Sequence, residues 1–115
     1  MLTQHMTHRI VIFITLSLIT TLGLLKSYMV LGGDQSLFVV IAQLLDAGKI
    51  LYKDLFDYKQ PGIFLFYLAA GKMIGWSDFD IHLFELGYWL LFTVILMYSL
   101  KDYPIFRANY FHALL

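Results

Sequence analysis

Between Ile10 and Leu25 the chain carries no charge, and its apolar character runs on through Lys26 to Leu31. The stretch 10–31 gives roughly 20 helical residues, about 30 Å of rise, enough to cross the hydrocarbon core of a bilayer. Lys26 lies one turn from the end, where its stem can carry the ammonium to the headgroups. Met1 to Arg9 forms a short polar start. The rival reading is a cleavable signal peptide. The run is long for a signal core and no small-x-small site precedes Gly32, so an uncleaved span is favoured.

Gly32-Gly33-Asp34 breaks this run, and Asp34 is a good N-cap for a second helix over 35–49. Leu37, Val40, Ile41, Leu44 and Leu45 share one face of that helix, with Ser36, Gln43 and Asp46 on the other. Gly48 is placed to end it, and the helix is expected to lie in the membrane interface. An aromatic and charged loop over 50–60 follows. Pro61 suits a first helical position and opens an apolar helix over 61–75, too short to span, with Lys72 near its end and Trp76 as an interfacial anchor. Ser77-Asp78-Phe79-Asp80 is a cap-like break before a second span over 81–100. Glu85, one turn inside that span, is favoured by the helix dipole and need not be buried. Lys101, Asp102 and Pro104 close the span.

The pattern predicts an all-α membrane protein with two transmembrane helices flanking an extracytoplasmic loop, 32–80, that carries two juxtamembrane or amphipathic helices. The apolar run Phe111-His112-Ala113-Leu114-Leu115 reads like the opening of another helix. Residues 101–115 are therefore expected to begin a truncated remainder, and 1–115 to form a single incomplete membrane domain.

Composition agrees with a membrane protein. The chain is 60% apolar, 17% aromatic and only 14% charged, which is not the profile of a soluble domain. Eight basic and eight acidic side chains cancel, so bulk charge points to no nucleic-acid partner. The absence of cysteine excludes disulfides and thiolate metal sites. Lys49, Lys53, Lys59 and Lys72 in the loop set against Arg9, Lys101 and Arg107 on the flanks leave orientation open by charge alone.

The polar loop residues carry the candidate chemistry. Asp34 is either a cap or a carboxylate able to take a proton from an incoming hydroxyl or amine. Gln35 can orient a polar ligand. Lys59 is either a solvated lysine or part of an anion site with the helix start at Pro61 and Gly62, where unpaired N–H groups suit a phosphate at headgroup level. Gly62 allows close backbone approach. Asp54 and Asp57 either hold a divalent cation through oxygen or pair with Lys53 and Lys59. His5 and His8 lie in the leader, and His82 and His112 are isolated.

Together these residues resemble the N-terminal region of polytopic GT-C-type glycosyltransferases, the group that includes protein O-mannosyltransferases, lipid A aminoarabinose transferases and the related bacterial sugar transferases of the dolichyl-phosphate-mannose-dependent type. The shared order is a first span, an acid at its outer end (Asp34), an amphipathic helix with Leu44-Leu45-Asp46-Ala47-Gly48, the stretch Tyr52-Lys53-Asp54-Leu55-Phe56-Asp57-Tyr58-Lys59-Gln60-Pro61-Gly62, a short helix and a second span. The similarity covers residues 8 to 101. It implies a cell (inner) membrane protein of many spans, with the first large loop outside. It implies transfer of a sugar from a polyprenyl-phosphate donor to an acceptor, with inversion at the anomeric carbon. Asp34 matches the family's base candidate and Lys59 its donor-phosphate lysine. Many members carry a second acid where this chain has Gln35, and an arginine near the second span where it has His82. The isolated chain is expected to be inactive, with no cofactor required beyond a possible divalent cation. The competing expectation is a small two-span protein that assembles with a partner and has no catalysis.

Overall fold

The computed structural model describes residues 2–100, with side chains from Arg9 onward. The expectations for 101–115, including the closure by Lys101, Asp102 and Pro104, lie outside the described residues. Within them the fold is all-helical: α1 (Leu2–Ser27), α2 (Gly33–Asp46), α3 (Pro61–Met73) and α4 (Asp78–Leu100). Two helices are long and apolar enough to cross a membrane, Arg9–Ser27 and Asp78–Leu100. Only 6% of the first apolar window and 11% of the second is buried within the protein. Both helices are therefore largely bare within the described residues.

Helix α1 stops at Ser27, so the expected helical stretch through Leu31 is four residues too long. The Ser27 hydroxyl donates to the Leu24 carbonyl (2.8 Å), and Tyr28 and Met29 donate back to the third residue before them. These bonds tighten the last turn and release the chain. Helix α2 starts two residues earlier than expected. Its N-cap is Gly32, with no side-chain cap bond, so Asp34 stands inside the first turn and is not the cap. At the other end Gly48 (φ +87) and Lys49 donate to the carbonyls of Leu45 and Leu44. That is a Schellman ending, and it needs a residue that accepts positive φ.

The buried face of α2 also differs from the expected one. Phe38, Val39, Ile41 and Ala42 are buried, whereas Leu37 and Val40 are exposed. The helix carries two apolar stripes, and aromatic packing selects Phe38 for the core. Its ring meets Phe64 edge-on at 5.8 Å and Tyr67 at 6.0 Å. Asp34 lies near Lys59 at one end of α2, and Asp46 pairs with Lys72 at the other (2.6 Å). Helices α2 and α3 therefore run parallel, and the loop 47–60 carries the chain back between them. A 14-residue helix is about 21 Å long, which a loop of that length covers easily.

Helix α4 begins at Asp78, three residues before the expected start, because Ser77 and Asp80 form a reciprocal cap. The Ser77 backbone and hydroxyl both donate to Asp80 Oδ2, and the Asp80 N–H donates to Ser77 Oγ. Trp76, expected as an anchor in the interface, is half-buried against the core with its ring over Gly71. Helices α1 and α4 pack antiparallel: Lys26 meets Glu85 near one end, and Gly23 faces Leu86 one turn along.

A Cβ on Gly23 would lie 2.4 Å from Leu86 Cδ1 and 3.1 Å from its Cγ. Gly23→Leu is expected to push α1 off α4 at a cost of about 1–3 kcal/mol. A lower midpoint for loss of helicity, titrating the protein from mild detergent into SDS, would show it. An unchanged midpoint would mean that the two helices do not depend on that approach.

Candidate functional site

Two polar groupings stand where the helix pairs meet water and each other. The outer one joins residues that the sequence separates by two dozen positions. Asp34, in the first turn of α2, has Oδ2 3.9 Å from Lys59 Nζ. The Asp34 side chain is 78% exposed and that of Lys59 35%. The Lys59 ammonium lies 5.1 Å from the Tyr58 ring centre and 6.0 Å from that of Phe38, so two aromatic faces hold it. Pro61 takes the first position of α3, with Gln60 as an N-cap that makes no side-chain bond. The parallel packing thus sets the N-terminal ends of α2 and α3 on the same side as Asp34 and Lys59. Both helix dipoles favour an anion there.

The loop builds this end through its own bonds. Asp54 Oδ2 accepts the Ile50 N–H (2.9 Å), and Asp57 Oδ1 accepts the Lys59 N–H (2.9 Å). The Tyr52 hydroxyl donates to the Lys59 carbonyl at 2.6 Å, and Tyr52 itself takes φ 66. The expected pairing of Asp54 and Asp57 with Lys53 and Lys59 side chains is corrected by this. Among the described residues no three His, Cys, Asp or Glu gather as a metal site, and neither acid reaches a lysine ammonium. They shape the turn that presents Lys59. Gly62 follows in the first turn of α3, with open space around it.

The inner grouping centres on Glu85, whose side chain is 10% exposed. Oε1 accepts from Gln35 Nε2 (2.7 Å) and the Tyr67 hydroxyl (2.9 Å). Oε2 accepts from Lys26 Nζ (2.9 Å) and meets His82 Nδ1 (3.0 Å). Each helix supplies one of the four. A carboxylate only accepts, so His82 donates through Nδ1, and its buried Nε2 has no partner. The expectation that Glu85 needs no burial is overturned: the carboxylate is buried because donors converge on it. Lys26 pairs with it instead of reaching only for headgroups. Gln35 belongs here and not with Asp34, its neighbour in sequence, because position 35 turns toward α4. Its amide supplies the donor that a second acid would lack.

Sequence reasoning missed Tyr67 and the isolated-looking His82 as partners. Opposite charges one turn inside two apolar spans were the available signal for Lys26 and Glu85. Nothing in the spacing pointed to Tyr67. Burial pushes its phenol up from 10.0 to about 12, with the Gln35 bond opposing and Glu85 adding to the rise. It stays a donor at any ordinary pH. No known protein family, curated protein or solved structure matches the chain.

The two groupings predict unequal energetics. Glu85→Leu leaves four polar groups without their acceptor and is expected to cost about 2–4 kcal/mol. Asp34→Ala removes an exposed pair and should cost under about 1 kcal/mol. Detergent unfolding of the two variants side by side checks this, and equal costs would overturn the distinction. Tyr67 adds a pH signature. The unfolded chain gives up the phenol proton near pH 10, whereas the folded chain keeps it to about 12. Its contribution to stability is full below pH 10 and is lost as pH rises through about 12. Stability measured across that window should fall less steeply in Tyr67→Phe than in the native chain.

Proposed function

We propose that this chain forms the membrane-surface part of an inverting glycosyltransferase, which moves a sugar from a polyprenyl-phosphate donor to an acceptor at the extracytoplasmic face. The observation that carries the reading is the meeting of Asp34 and Lys59 beside two helix N-termini. Asp34 is free of the capping bond that would have competed with catalysis. In this mechanism its carboxylate takes the proton of the acceptor hydroxyl as the oxygen attacks the anomeric carbon. The phosphate departs from the opposite face onto Lys59 and the N–H groups of the α3 start. Inversion requires base and phosphate on opposite sides of the sugar. The exposed 3.9 Å pair is worth under about 1 kcal/mol, so a sugar phosphate separates the two at little cost.

The same proposal places α1 and α4 across the cell (inner) membrane and the 32–80 loop outside. Retention of α1 is supported by Lys26, since cleavage before Gly32 would strip Glu85 of one donor. The isolated chain is inactive in this reading, and the acceptor comes to a site completed by further helices of a multi-pass protein.

The test is transfer from a radiolabelled polyprenyl-phosphate hexose in membranes expressing the gene's whole coding region. Asp34→Asn is expected to abolish transfer at normal membrane levels. Lys59→Ala should raise the KM for the donor about tenfold or more while changing that for the acceptor little. Native kinetics in both variants would reduce the pair to a surface contact.

A non-catalytic two-span protein is the second reading, favoured by the bare faces of α1 and α4. Phe13, Leu18, Leu91 and Ile95 are all more than half exposed. Cross-linking in mild detergent addresses it, and a lone monomer counts against it.

A further inference from the structure

The Lys26 ammonium stands on the ridge between two cavities. One, about 240 Å³, lies in the groove between α1 and α4 and is walled by Ile19, Leu22, Leu86 and Trp89. The other, about 470 Å³, lies between α3 and α4 and is walled by Ile63, Phe66, Tyr88 and Trp89. Lys26, Glu85 and Trp89 line both. The Lys26 side chain is half exposed, and a single protein bond to Glu85 engages one of its three N–H donors.

The level of this ridge is set by the helices. The apolar window of α1 ends at Ser27, one residue past Lys26. Helix α4 begins seven residues before Glu85, about 10 Å higher along its axis. Lys26 and Glu85 therefore sit where the hydrocarbon meets the headgroups, with α4 projecting above. From there both cavities lead one turn or more along α4 toward Trp89, into the depth of the span. One cation with two apolar channels below it matches a molecule with one anionic head and two chains.

We propose that Lys26 and these two cavities hold a diacyl phospholipid, its phosphodiester on the Lys26 ammonium and one chain in each channel. Gln35, Tyr67 and His82 share Glu85 with Lys26, which leaves two of the three Lys26 N–H donors for the phosphate. The indole of Trp89 separates the two chains. This site is distinct from Asp34 and Lys59 and requires that α1 and α4 cross a membrane with the start of α3 dipping against α4 into the same leaflet.

The experiment embeds the protein in dioleoyl phosphatidylglycerol nanodiscs, extracts it into mild detergent and counts retained lipid by native mass spectrometry. One diacyl lipid per chain is expected. Leu22→Trp fills the α1–α4 channel without touching the ion pair and should lower retention about tenfold. Lys26→Gln should do the same and Lys26→Arg should retain the lipid. If Lys26→Gln loses helicity, Leu22→Trp decides alone. Lysophosphatidylglycerol, with one chain, should compete at least tenfold less well, and millimolar inorganic phosphate should displace nothing. Undiminished retention in Leu22→Trp, equal competition by the lysolipid, displacement by free phosphate, or no retained lipid in the native chain would each overturn the proposal.

Discussion

Taking a carboxylate out of water costs several kcal/mol unless its oxygens are fully hydrogen-bonded. Glu85 meets that condition by drawing one donor from each of the four helices. The remaining architecture hangs on this convergence. Helices α1 and α4 form one packed pair and α2 and α3 another, while α3 and α4 share a smaller contact. Apolar burial holds each pair internally, through Gly23 against Leu86 in one and Phe38 against Phe64 and Tyr67 in the other. Between the pairs, the Glu85 bonds and the aromatic contacts of Phe66 with Phe84 and Tyr88 fix how they meet. Hydrogen bonds are directional and packing is not, so the carboxylate specifies an orientation that grease alone would leave loose.

The helices were legible in the sequence because their signals are local. Pro61 opens α3, Gly48 ends α2 and Ser77 with Asp80 caps α4, each through contacts within a few residues. What the pattern misjudged depends on partners far away in the chain. Leu37 was expected on the packed face and Phe38 was not, and the aromatic rings of α3 choose Phe38 instead. Asp34 looked like a cap because glycines precede it, yet the backbone of Gly32 takes that position without a side-chain bond.

The outer pair and the inner cluster show the same division. Asp34 and Lys59 were readable as separate candidates from their neighbours, but their meeting depends on α2 and α3 running parallel, which no spacing rule gives. Gln35 was grouped with Asp34 by adjacency, although successive helical residues point about 100° apart. That rotation sends one to the surface and the other to Glu85. Tyr67 carries no sequence mark at all in a helix rich in apolar and aromatic residues.

The order in which the chain is made gives the Lys26–Glu85 contact a temporal side. The two residues are 59 positions apart. At a synthesis rate of 5–20 residues per second, Glu85 follows Lys26 by on the order of 3–12 s. Through that interval Lys26 has no partner from α4, because Glu85 has not yet been made. The arrival of α4 ends that wait. The ion pair is thus the moment at which a lone anchored helix becomes half of a fold.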